Sequence, residues 1–158
     1  MESNLKIVPP ELLMEPLLKL LDETSAVPLV VSGSSMTPFL VPRRDTVYLS
    51  KADRPLKRGD VVLYRRTGGR YVLHRILRTE KDSYTMLGDA QQYPEPGIRP
   101  EQILAVVTAV HRKGKLLQKG CFLWDFFETV WIRMVPLRPA AQNLYSSVKR
   151  LFGGKGAI

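Results

Sequence analysis

Between residues 27 and 110 the chain runs as short apolar segments, each closed by glycine, proline or a small polar cluster. That rhythm restricts its fold more than any other feature. Residues 27–31, 46–49, 61–65, 70–77, 83–87 and 103–110 have the length of strands, not helices. Gly68-Gly69 between the third and fourth runs signals a hairpin. In the fourth run Tyr71, Leu73, Arg75 and Leu77 fall on one face, and Val72, His74 and Ile76 on the other. Residues 90–100, rich in Gln, Pro and Gly, read as a loop. The expected fold class is mainly β, a sheet closed or coiled on itself.

Helices are expected at both ends. Leu13, Leu17, Leu20 and Leu21 recur at helical spacing within residues 9–24. Pro10 suits a first turn, whereas Pro16 is expected to break or kink the helix. Near the C-terminus, Phe122, Leu123, Phe126, Phe127, Val130, Trp131 and Met134 form a wide apolar helical face, interrupted by Pro136 and Pro139. Residues 140–152 suggest a further helix with Leu144, Val148 and Leu151 on one face and Lys149 and Arg150 near its end. Two readings fit this tail: helices that cover the β core, or peripheral contact with an anionic membrane. The chain thus divides into an N-terminal helical segment (1–26), a β core (27–115) and a C-terminal helical appendage (116–158).

The formal charge of +9 is uneven, negative over residues 1–40 and most positive over residues 111–158. The basic residues are scattered, so a solvated face competes with an anionic partner. Nothing in the sequence reaches the ~20 apolar residues of a membrane span, and the acidic, Pro-Pro-bearing start is unlike a secretory signal. The expected location is cytoplasmic, with membrane attachment only peripheral. The single cysteine, Cys121, has no internal disulfide partner, and Cys121, His74 and His111 lack the spacing of a metal site. No cofactor is expected.

Residues 32–38, Ser-Gly-Ser-Ser-Met-Thr-Pro, follow the first strand as a turn of small residues carrying hydroxyls. Such clusters are often only turns. A hydrolytic serine needs a base, an oxyanion site and a group that orients the base. Ser35 is the candidate nucleophile and His74, between Val72 and Ile76, the candidate base. His111 lies by a basic turn and reads as solvated. Asp89 and Glu95 are the carboxylates placed to orient His74. Backbone N–H groups near Ser35 would serve as oxyanion donors, with Gly33 leaving them unobstructed. With Gly33, Ser34, Met36 and Pro38 of the same turn are the candidate oxyanion and substrate-binding residues.

Residues 31–40, Val-Ser-Gly-Ser-Ser-Met-Thr-Pro-Phe-Leu, resemble the serine box of type I signal peptidases, where the nucleophile directly precedes Met. Arg58-Gly-Asp-Val-Val-Leu63, Tyr71-Val-Leu-His-Arg-Ile76 and Leu87-Gly-Asp-Ala90 resemble three further boxes of that family, in the same order. The resemblance implies the S24/S26-type peptidase fold, Ser35 as nucleophile and His74 as general base. Histidine at this position is similar to the endoplasmic-reticulum, archaeal and spore-former members; self-cleaving SOS-type repressors share the fold but normally use lysine. The resemblance puts the third functional group near Glu95, with Asp89 bracing its loop. Having no anchoring span, the chain looks like small soluble members of the family.

The implied function is a serine endopeptidase that removes a leader or signal-like segment from a peptide or protein through an acyl-enzyme. The peptide would add as a strand beside the serine box. Two alternatives stand beside it: a peptide-binding regulatory domain without catalysis, and a self-processing, repressor-like protein. Nucleic acid is not the expected partner, because Pro16 divides the one helix before the β core and leaves no helix-turn-helix.

Overall fold

The computed structural model describes the backbone from residue 10 to residue 153 and side chains from residue 12 to residue 151. One helix, α1 (Pro10–Glu23), precedes eight strands: β1 (Val27–Val30), β2 (Asp45–Ser50), β3 (Val61–Arg65), β4 (Tyr71–Thr79), β5 (Tyr84–Leu87), β6 (Glu95–Ile98), β7 (Ile103–Arg112) and β8 (Lys115–Gln118). Helices α2 (Phe122–Thr129) and α3 (Arg138–Gly153) follow, joined by 3-10 turns at Trp131–Arg133 and Val135–Leu137. All strand pairs are antiparallel, in the order β1-β2-β7-β3-β4-β5-β6, with β8 also on β7.

The mainly β expectation holds, and the sheet does not close: among the described residues β1, β6 and β8 each pair with a single strand. The buried apolar residues fall into two larger clusters and a small third one of Leu77, Leu87 and Ile132. Val61 and Leu63 of β3 enter the largest one, with Val47, Leu49, Val107, Phe39 and Trp124. Val62 and Tyr64 enter the second one, with Ile76, Met86 and Val106. A strand buried on both faces has no water-facing positions, so its sequence is a continuous apolar run.

Three sequence expectations are corrected. Pro16 lies inside one helix and does not break it. It sits on the solvent side with the exposed Leu12, where water can serve the carbonyl that loses its N–H partner. Leu13 and Leu20 point outward, while Met14, Leu17 and Leu21 are buried; the helix lies on the sheet by one narrow stripe. The 90–100 loop contains β6, whose Pro96 and Gly97 are exposed on the sheet edge, where proline costs no ladder bond. Sequence reading also missed β8.

In the tail, Trp124, Phe127 and Trp131 are buried in the large core, whereas Phe122 is exposed. Pro139 falls in the first turn of α3, where it is tolerated.

Candidate functional site

The turn after β1 is pinned from both sides. Thr37 N–H donates to Ser34 O at 3.0 Å and Leu40 N–H to Met36 O at 2.8 Å. Met36 and Phe39 are buried beneath it. Phe39 stacks edge-on to Trp124 with ring centres 5.6 Å apart, and the Arg75 guanidinium lies 4.9 Å over its face. Burying each such side chain is worth about 1.5–3 kcal/mol, which offsets part of the ~1–2 kcal/mol per residue that fixing the turn's backbone costs; its hydrogen bonds add to this. Ser35 is left half-exposed on the rim. Ser34 and Gly33 are exposed, no atom lies within 4 Å of where a Gly33 Cβ would stand, and the Thr37–Pro38 bond is cis.

Strand β4 supplies His74. Its register is set by the hairpin with β3, in which Val62 faces His74 and Tyr64 faces Val72. Next to it the Arg58-Gly-Asp turn grips the strand: Gly59 N–H donates to Ile76 O at 2.9 Å and Ile76 N–H to Asp60 O at 2.8 Å. Gly59 has φ +97°, and a side chain there would strike Glu128, so glycine is required at this turn.

The serine and histidine meet, 39 residues apart in sequence: Ser35 Oγ lies 3.2 Å from His74 Nε2. On the other side of the ring, Nδ1 lies 3.1 Å from the Tyr64 hydroxyl, which donates to Glu95 Oε2 at 2.7 Å. A phenol has one proton to give. Tyr64 commits it to Glu95, so its oxygen must accept from His74 Nδ1–H. That leaves Nε2 bare, facing the Ser35 hydroxyl. Donor arithmetic thus selects the tautomer in which Ser35 donates to His74. Arg66 closes the chain with bonds of 2.7–3.0 Å to both Glu95 oxygens.

Burial, and then the Arg66 cation, lower the His74 pKa from 6.5 to about 4, so the imidazole is neutral at pH 7. Burial and the bond to Glu95 raise the Tyr64 pKa, keeping the phenol protonated. Burial acts to raise the Glu95 pKa, but the bonds from Arg66 and Tyr64 outweigh it and the carboxyl stays ionised.

Glu95 therefore reaches His74 only through Tyr64. Of the two carboxylates considered to orient His74, Glu95 is the one linked to it, and Asp89 is elsewhere. It is fully buried with both oxygens on Arg75, at 3.0 and 2.7 Å, and Arg75 also donates to Gly59 O at 2.9 Å. This pair braces the loop behind the serine, where Ala90 N–H donates to Ser35 O at 2.9 Å. A Cβ on Gly88 would stand 2.5 Å from Ser35 O, so only glycine permits that approach. From the tail, Trp131 Nε1–H donates to Asp89 O at 3.0 Å and Arg138 to Gly88 O and Gln91 O at 2.9 Å each.

Tyr64 and Arg66 were missed in the sequence. The signal was the hairpin: counted back from Gly68-Gly69, Tyr64 is a diagonal neighbour of His74 on the same face. His111 is exposed on β7, away from this chain of bonds. Among the described residues, no group of three or more His, Cys, Asp or Glu is placed to hold a metal ion, and no helix is long and apolar enough to cross a membrane.

No curated protein matches the chain. The family model described as Peptidase S24-like matches residues 10–110. That span takes in the serine turn, the β3–β4 hairpin, Asp89 and Glu95, and is well over half of the sequence; the chain belongs to the Peptidase S24-like family.

Proposed function

We propose that this protein is a serine endopeptidase with a Ser35–His74 centre, of the histidine-base signal-peptidase type, which cuts a leader or signal-like segment from a peptide or protein. The carrying observation is the 3.2 Å approach of Ser35 Oγ to a His74 Nε2 left unprotonated by its Tyr64 partner. Ser35 Oγ attacks the scissile carbonyl carbon while Nε2 takes its proton. The imidazolium then gives that proton to the leaving amine, and an ester forms on Ser35. Water, deprotonated by Nε2, attacks the ester and restores the serine.

Tyr64 acts as a positioning residue. It accepts Nδ1–H throughout, and the ionised Glu95 behind it favours the transient imidazolium. The Ser35 backbone N–H donates to no backbone carbonyl among the described residues, which leaves it free for the oxyanion. Strand β1 pairs only with β2 among the described residues, so a peptide can add along its other edge and lead its bond to the serine turn. The family resemblance favours small side chains at the cut.

The test is incubation of the purified chain with leader peptides, followed by trapping with a serine-acylating reagent. Wild type is expected to cleave and to label on Ser35, and Ser35→Ala to do neither. Identical behaviour of the two would sink the proposal.

A further inference from the structure

Helix α3 is held at one end and bare along the rest. Arg138 at its start is buried, Ala141 packs against the large core, and Gln142 Nε2 lies 3.4 Å from Ala90 O. From residue 143 to residue 151 every side chain is exposed. In that stretch Leu144, Val148 and Leu151 recur at positions i, i+4 and i+7, with Tyr145 beside them, so the four make one stripe. They are 66%, 42%, 79% and 60% exposed. The charge around the stripe narrows what can cover it. Residues 139–151 hold two basic side chains, Lys149 and Arg150, and no acidic one, and both flank the stripe in solvent.

We propose that α3 docks on an anionic lipid bilayer. Leu144, Tyr145, Val148 and Leu151 enter the boundary between headgroups and acyl chains, and Lys149 and Arg150 sit at lipid phosphates. Its 16 residues extend ~24 Å at 1.5 Å each, short of the ~30 Å hydrocarbon core, so the helix lies in the surface plane. A second copy of the chain would set two basic, acid-free segments against each other. A nucleic acid would take the charge and leave the stripe in water. Because the first turn of α3 grips the loop that holds Ser35 O, docking brings the serine turn to the lipid surface. The inference does not rest on the peptidase reading.

The test is co-sedimentation of the full chain with vesicles of phosphatidylcholine alone or with one-third phosphatidylglycerol. Binding is expected only to the anionic vesicles, and to weaken with salt. Lys149→Gln with Arg150→Gln should weaken it roughly thirtyfold, at about fivefold per basic side chain. Leu144→Ser with Leu151→Ser should abolish it, and being exposed these changes leave the fold intact, as circular dichroism will report. Ser35→Ala should bind as wild type, so docking and cleavage read out separately. Equal binding to neutral vesicles, no binding at low salt, or unchanged binding by the leucine variant would overturn the proposal. So would a dimer in solution that the leucine variant dissolves, which would assign the stripe to a second copy.

Discussion

The buried, neutral His74 ties stability to pH in a way that can be measured. In the unfolded chain its imidazole takes up a proton near pH 6.5; in the folded chain it does so only at about 4. Between these values the unfolded state binds more protons, so stability rises with pH. The stabilisation is complete above pH 6.5 and is lost as the pH falls towards 4. A gap of about 2.5 pH units at 1.36 kcal/mol each is ~3 kcal/mol. Carboxylates titrate nearby, Asp45 among them, with a pKa of about 2 because its bonds from Arg44, Arg112 and Val41 N–H outweigh burial. A variant without the imidazole, His74→Asn, removes their contribution by difference. Urea unfolding of both proteins from pH 4 to pH 8 should give curves whose gap changes by about 3 kcal/mol across that range. Proton NMR of the His74 ring should show it neutral at pH 5.5. The same base should place the acid limb of peptide cleavage near pH 4. A ring that titrates at about 6.5, with a pH-independent gap between the unfolding curves, would refute the argument that burial and Arg66 keep the base neutral.

Tyr64→Phe removes the one acceptor that His74 Nδ1–H has among the described residues and should cost about 1–3 kcal/mol of stability, the range for a stranded buried donor. Nitrogen NMR should then show mixed tautomers and kcat should fall with KM little changed; a single retained tautomer would exclude Tyr64 as the positioning group. Asp89→Asn leaves the Arg75 guanidinium buried without its counter-charge and should destabilise by about 3–5 kcal/mol in urea. A loss under 1 kcal/mol would mean that Arg75 is served by Gly59 O and the face of Phe39 alone.

Much of the fold was legible because its signals are local. Strand lengths, the Gly68-Gly69 hairpin and the alternation through His74 each need only a few neighbouring residues, and together they set the register that brings the imidazole out towards the serine turn. What escaped was decided by contacts distant in sequence. Tyr64 reads as one more core aromatic until β6 brings Glu95 to its hydroxyl. That strand is hidden by Pro96 and Gly97, which are tolerable only because it is an edge. Arg66 looks like part of a solvated basic turn, yet it clamps the same carboxylate. Spacing alone does not separate Asp89 from Glu95, and only the family resemblance favours Glu95; the physical reason is Arg75, a buried cation that claims both oxygens of Asp89. In α1 the outward Leu13 and Leu20 follow from how the helix rolls on the sheet, and residue spacing leaves that roll undetermined. The apolar stripe of α3 has the same ambiguity: amphipathicity tells that a helix has a greasy side, not whether the protein's own core lies against it.

The loop from Gly88 to Gln91 is gripped by Trp131 and Arg138 at its carbonyls while its Ala90 amide holds the carbonyl of Ser35. The Ser35 peptide group is therefore two bonded steps from a helix that begins beyond the segment matched by the family model. Any load placed on that helix, by a surface, a partner or a cut in the chain, is transmitted as a displacement of the serine's own peptide group. The position of the Ser35–His74 pair is in this way tied to a part of the molecule that contributes no atom to it.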